Sequence, residues 1–284
     1  MFIPWKVDVP MVRWPIANWV LIGVTIAISV GMFVPLNEWY EQQGPEELQA
    51  LIRAINGPSH DTSAVDYFLL QPRNFHVTQL FGSVLIHADI VHLLGNMLFL
   101  FVFGNAINAK LGHWQYLALY FGIGIIEGLV WLAVGPGNPA LGASGAIMGV
   151  IGAFLLLYPR NDVSVFYWWG IWARGSFELS AMWLIAIYVA FDVWGMIFSQ
   201  GAGVGNLAHV AGFLTGAVTL FVILKLGWVT STTYEENLLQ VWGLTPSKAV
   251  KKQTAVEQYA EMYAQRTLAR TPPRKRDDGP IPLD

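Results

Sequence analysis

Six apolar runs, residues 14–34, 90–109, 114–134, 141–158, 181–198 and 207–226, divide most of this chain among them. A helix needs roughly 20 such residues to cross a hydrocarbon core. Only 12% of the 284 residues are charged while 55% are hydrophobic, against about 25% charged in an ordinary soluble domain. A soluble fold built on these runs, joined by short polar segments, would have no polar surface left. The sequence therefore predicts an all-α, polytopic membrane protein of six spanning helices, with the lipid bilayer as its constant partner.

Other classes fall away on the same grounds. There is no cysteine, so disulfides, thiolate metal sites and thiol catalysis are excluded. A net charge of −3 gives no case for nucleic acid. The first run is longer than a signal-peptide core and no small-x-small site follows it cleanly, so it is read as a retained helix.

Basic residues set the topology. Lys6, Arg13, Lys110, Arg160, Arg174, Lys225 and the tail cations from Lys248 to Arg276 fall on one side, and only Arg53 and Arg73 on the other. Both termini are expected in the cytosol, and a bacterial inner membrane fits best. The expected organisation is a cytosolic segment 1–13, a membrane domain 14–226 with a long extracytoplasmic loop 35–85, and a cytosolic tail 227–284 that is partly disordered. Within the loop, Leu48, Leu51, Ile52 and Ile55 predict a short interfacial helix. Trp168, Trp169 and Trp172 fit an aromatic belt, and Leu238, Leu239, Val241 and Trp242 are expected at the membrane surface. No internal repeat supports a transporter built on inverted repeats.

Against this apolar background a few polar residues stand out, because a polar group inside a span is a functional hypothesis by default. Ser144 and His209 each open an apolar run, a few residues in, roughly 5 Å down from the same side. A serine hydroxyl becomes a nucleophile when a base takes its proton, and neutral histidine is the usual base. Asp192, placed far from the outer end of its span, is not assigned as a third member, and that role is left empty. His92 and Asn96, four apart on one helix face, are candidate oxyanion donors together with the Ser144 amide. Gly145 and Gly149 on the fourth span match Gly212 and Gly216 on the sixth as a close-packing pair. His87 is either a loop residue or a point of water access. Its spacing from His92 argues against a metal pair, and no metal or cofactor is expected. Glu127 and Asp192 must face protein or water, as interhelical hydrogen bonds or, in the rival reading, a proton relay. Ala146 breaks the G-x-S-x-G pattern of soluble hydrolases.

The motifs Gly142-Ala143-Ser144-Gly145 with Gly149, His92-Leu-Leu-Gly-Asn96, and Ala208-His209-Val-Ala-Gly212 with Gly216 resemble those of the rhomboid intramembrane serine proteases. So do the run from Ser83 to His92, Phe103-Gly104, and Leu157-Tyr158-Pro159-Arg160. The resemblance covers about residues 75 to 226. It implies a six-helix core in which Ser144 is the nucleophile, His209 the base, and His92, Asn96 and the Ser144 amide the oxyanion site, with Gly142 in support. It also implies single-span membrane proteins as substrates, cleaved in or near the membrane by water from the outer side. Two departures stand out. Met148 replaces a tyrosine that packs on the histidine in some members, and Asn105 and Asn108 stand near where an acidic residue often follows Phe-Gly. The competing classes are a catalytically silent rhomboid-like protein that binds membrane clients, and a transporter. Nothing in the sequence sets an oligomeric state.

Overall fold

The computed structural model describes residues 2–44, 63–169, 173–198, 204–231, 235–246 and 263. In chain order they form β1 (Phe2–Val7), α1 (Ile16–Gln42), α2 (Val65–Phe68), α3 (Gln79–Gly82), α4 (Ile90–Leu111), α5 (His113–Val134), α6 (Ser144–Leu157), β2 (Asp162–Trp169), β3 (Ala173–Ser180), α7 (Ala181–Phe198), α8 (Val204–Lys225) and α9 (Leu238–Val241). The protein is a mostly helical membrane bundle. Five helices, α1, α4, α5, α7 and α8, are long and apolar enough to cross a bilayer. The sixth, α6, has only 14 residues and is buried along almost its whole length.

Sequence chemistry explains the short helix. Gly142 at φ +114° stops it at the N-terminal end, since few residues other than glycine adopt that conformation. Pro159 follows directly at the other end, and Tyr158 leaves helical geometry before it. Around α6 lie the fully buried Phe103, Tyr116, Tyr120 and Tyr158, and Phe154 within it is fully buried too.

The spanning helices turn their polar residues inward. In α1 the buried positions are Ala17, Asn18, Leu21, Thr25, Ser29, Met32 and Leu36, one stripe at helical spacing, while Val20, Val24, Val30 and Val34 are exposed. Lipid solvates the apolar face, and Asn18 and Ser29 find partners inside. Asn18 is the hub. Its Nδ2 donates to the Leu100 carbonyl at 2.9 Å and to Asn105 Oδ1 at 2.8 Å, and its backbone N–H donates to Asn108 Oδ1 at 3.1 Å. A π-helical turn over Leu100–Gly104 interrupts α4 at this point, where the regular ladder loosens and a carbonyl can take an outside donor. Asn105 and Asn108 thus tie α1 to α4.

Packing between α6 and α8 is closer than between ordinary helices. A Cβ on Gly212 would collide with the Gly145 carbonyl, one on Gly216 with the Gly149 carbonyl, and one on Gly152 with the Phe213 carbonyl. The two backbones lie in direct contact, as small-xxx-small pairs permit.

Three expectations change. First, α1 runs through Pro35 to Gln42, so the helix continues past the position where the loop was expected to begin; proline costs a helix one internal hydrogen bond and a bend but does not have to end it. Second, the connection between α6 and α7 is a hairpin, and β1 joins it to make a three-stranded antiparallel sheet in the order β1-β2-β3. Val163 and Val165 alternate into the core, while Trp168 and Trp169 remain exposed near the hairpin end. The stretch Phe2–Val7 is therefore part of the folded domain. Third, Leu238 and Leu239 are buried, not spread on a membrane surface. Glu235 pairs with Lys110, and Glu236 with Arg160 at 2.6 Å, pinning this part of the tail against the bundle. The interfacial helix expected from Leu48, Leu51, Ile52 and Ile55, together with Trp172, lies outside the described residues.

Gly212→Ala should lower the melting temperature in detergent, at a cost of about 1–3 kcal/mol for overpacking a closed contact. Gly122→Ala is the control: a Cβ there meets nothing within 4 Å, so it should melt like the wild type or slightly higher.

Candidate active site

Four helices meet at Ser144, the first residue of α6. Helix α8 brings His209, α4 brings His92 and Asn96, and α7 brings Asp192, and all of these line one cavity of about 650 Å³ together with Met148. A smaller cavity of about 250 Å³ is also lined by Ser144, with His92, Glu127, Gly142 and Gly145 among others. The serine hydroxyl thus stands where two chambers meet.

The glycine contact sets this juxtaposition. Ser144 precedes Gly145, and His209 precedes Gly212 by three residues, close to one helical turn. Pressing Gly145 against Gly212 brings serine and imidazole to the same level between the helices. Glu127 on α5 fills the other flank of Gly145, where a Cβ would lie 2.7 Å from its Cγ and Cδ. Glu127 is buried and, as expected, faces protein.

His209 is held from behind. Its Nδ1 lies 2.9 Å from Asp192 Oδ1. A carboxylate can only accept, so Nδ1 carries the proton and Nε2 keeps the lone pair that a general base requires. Asn206, one turn before His209, donates its amide to Asp192 Oδ1 at 3.2 Å and accepts from the Met196 amide at 3.2 Å in the orientation that satisfies both groups. A side chain on Gly195 would collide with Asn206, so that glycine makes room for the link between α7 and α8.

The placement of Asp192 corrects the expectation that it lies too far from the outer end to reach the histidine. It is six residues before the end of α7, and His209 is five residues after the start of α8. At 1.5 Å per residue these are depths of about 9 and 7.5 Å. The two helices are antiparallel, so counting from the shared end brings the groups level. That count was the available signal.

On the donor side, Asp89 caps α4. Its Oδ1 accepts from the Val91 and His92 amides at 2.8 and 2.9 Å, and the His92 amide bond leads in holding its carboxyl below the ordinary range. Asn96 Nδ2 donates to His87 Nε2 at 2.9 Å. His87 Nδ1 meets Ser29 Oγ at 2.9 Å, and Ser29 donates onward to the Leu85 carbonyl at 3.0 Å. The chain of donors therefore runs from Asn96 to His87 Nε2 and from His87 Nδ1 to Ser29. His87 is fully buried and packs edge-to-face on His92, with ring centroids 5.0 Å apart. Its structural place is behind Asn96, whose position it fixes. Gly142 completes this side: a Cβ would lie 2.8 Å from the His92 ring, and the Gly142 amide donates to the Ser83 carbonyl at 2.8 Å. No side chain caps the start of α6, and first-turn N–H groups without intrahelical partners are natural anion ligands.

The described fold is that of a polytopic helical membrane protein with polar side chains converging on a helix-start serine. Residues 74–226 match the Rhomboid domain family, and the chain belongs to the rhomboid family. It is 27% identical over 200 residues to the human presenilin-associated rhomboid-like protein, mitochondrial, covering 69% of this chain and 50% of that protein. It is 30% identical over 190 residues to the zebrafish presenilin-associated rhomboid-like protein A, mitochondrial, covering 65% and 47%. With the rhomboid protease GlpG of Klebsiella pneumoniae it shares 29% identity over 155 residues, covering 52% and 49%. The chain spans about half the length of these relatives.

Burial, with the charge of His92 adding to it, pushes the His87 imidazole down to about 4 from 6.5, and Asp89 opposes the shift. The folded state thus keeps His87 neutral where the unfolded chain binds a proton. Its contribution is present above pH 6.5 and is lost as pH falls toward 4, up to about 3 kcal/mol. Melting curves in detergent should show this decline between pH 6.5 and 4, and the slope should flatten in His87→Gln.

Proposed function

We propose that this protein is an intramembrane serine endopeptidase that cleaves single-span membrane proteins through Ser144 and His209. The observation that carries the reading is the shared cavity: a serine, a histidine fixed with Nδ1 turned away, and the donors His92 and Asn96 all line one space. One matched relative is named a rhomboid protease and others rhomboid-like.

In the proposed reaction, Ser144 Oγ attacks the scissile carbonyl carbon while His209 Nε2 accepts the hydroxyl proton. The carbonyl oxygen becomes an oxyanion, stabilised by His92, Asn96 and the Ser144 amide. As the tetrahedral intermediate collapses, His209 gives its proton to the leaving amine and an acyl-serine remains. Water then repeats the sequence, its proton going to His209 and its oxygen to the acyl carbon, which frees Ser144. A transmembrane helix must unwind before its peptide bonds become accessible, so small and helix-breaking residues near the scissile bond are favoured. Basic residues favour cytosolic termini and chemistry near the outer face, as in a bacterial inner membrane.

The second reading, a silent client-binding member, rests on Met148 in place of a supporting aromatic ring. Reconstituted wild type should cut a model single-span substrate at one bond defined by mass spectrometry. Ser144→Ala should give no product, and His209→Ala should lose at least about 10³-fold. His92→Ala or Asn96→Ala should lose about 10²–10³-fold in kcat, because other donors remain. Absence of cleavage by folded wild type would favour the silent reading, and cleavage by Ser144→Ala would refute the mechanism.

A further inference from the structure

We propose that Asp192 is the positioning residue of His209, so that this chain works with a Ser144–His209–Asp192 relay of hydrogen bonds where the family pattern supplies a dyad. The proposal rests on the protease reading and deepens it.

Three observations converge on Asp192. Its Oδ1 lies 2.9 Å from His209 Nδ1, and both side chains line the cavity that holds Ser144. Met148, one turn beyond Ser144, stands where some members of the family carry a tyrosine against the histidine, and it offers a thioether without an aromatic face. And Asp192 is itself held in place: Asn206 donates to the same oxygen, over a gap kept open by Gly195. An aspartate within a spanning helix carries an insertion cost on the order of 2.5–3.5 kcal/mol. The buried residues of α7 are Ala181, Leu184, Ile185 and Gly195. Phe191 and Trp194, beside Asp192 in sequence, are exposed on the apolar outside. The carboxylate is turned inward to the imidazole, on the side of α7 opposite those exposed rings.

The chemistry follows from the tautomer. With Nδ1–H donated to Asp192, Nε2 accepts the Ser144 proton, and the imidazolium that forms faces a fixed negative charge. Asp192 takes no proton and touches no reacting atom. His92 on α4 lines the same cavity, and between the two histidines Asp192 supplies the anion on the His209 side. In Asp192→Asn the amide can donate to Nδ1 and hold the opposite tautomer, with Nε2 protonated and unable to act as a base. A purely structural tie between α7 and α8 would survive that change, because asparagine keeps the shape and a hydrogen bond.

The test uses full-length protein in liposomes, the model substrate, and a fluorophosphonate probe for Ser144. Asp192→Asn is expected to lose on the order of 10- to 100-fold in kcat, less than a fully buried triad because both side chains are partly exposed. KM and the melting temperature should be little changed, and Ser144 labelling should slow in parallel. Asp192→Glu, which keeps the charge, should recover much of the loss. If Asp192→Asn does not fold, Asp192→Ser makes the same comparison with a smaller neutral group. Wild-type kcat in the folded neutral variant overturns the inference while leaving the protease reading intact. Equal losses in the Asn and Glu variants with a matching fall in melting temperature also overturn it, in favour of a structural tie. No cleavage and no labelling by folded wild type would remove the protease reading, and this inference with it.

Discussion

Backbone contact between α6 and α8 is the constraint on which the site depends. Where Gly145 meets Gly212 and Gly149 meets Gly216, neither helix has a side chain to keep the other away. In a membrane, apolar association gains nothing from expelling water, so close packing must supply the attraction. The contact also places the chemistry, because Ser144 and His209 sit at the edge of it. Any residue larger than glycine there would separate Ser144 from His209 as it separated the helices.

Around that contact the bilayer imposes a second rule: polar groups must be satisfied from within. Asn18 meets the carbonyl at the π turn of α4 and the side chains of Asn105 and Asn108. His87 passes a chain of hydrogen bonds from Asn96 to Ser29. These networks tie α1 to the helix that carries His92 and Asn96. The long helices that face lipid thus hold a shorter, enclosed helix in place, and Ser144, His209, His92 and Asn96 stand on helices instead of loops.

Much of this was legible from the chain. Ser144 and His209 are conspicuous because each interrupts an apolar run, and flanking glycines mark the faces that meet. Asp192 is less conspicuous, because its level with His209 shows only when depth is counted from the neighbouring ends of α7 and α8. The sheet was hidden for a different reason. A run such as Val163-Ser-Val-Phe-Tyr-Trp-Trp169 carries the rings of an interfacial belt, and β1, its first partner, lies about 160 residues away. Non-local pairing of that kind leaves little trace in local pattern. Pro35 gave a false stop to α1, since proline in a spanning helix is tolerated where neighbours can make good the lost bond. Asn96 was readable as a donor, but its support by His87 required the fold.

The central claim is that Ser144 and His209 meet as nucleophile and base. A peptidyl chloromethyl ketone tests it most directly, because it forms one bond to an activated serine oxygen and a second to the nitrogen of the adjacent histidine. Digestion and mass spectrometry of treated wild type should recover a peptide from α6 joined to one from α8 through Ser144 and His209. Alkylation of His209 alone, or a bridge to any other residue, would contradict the account.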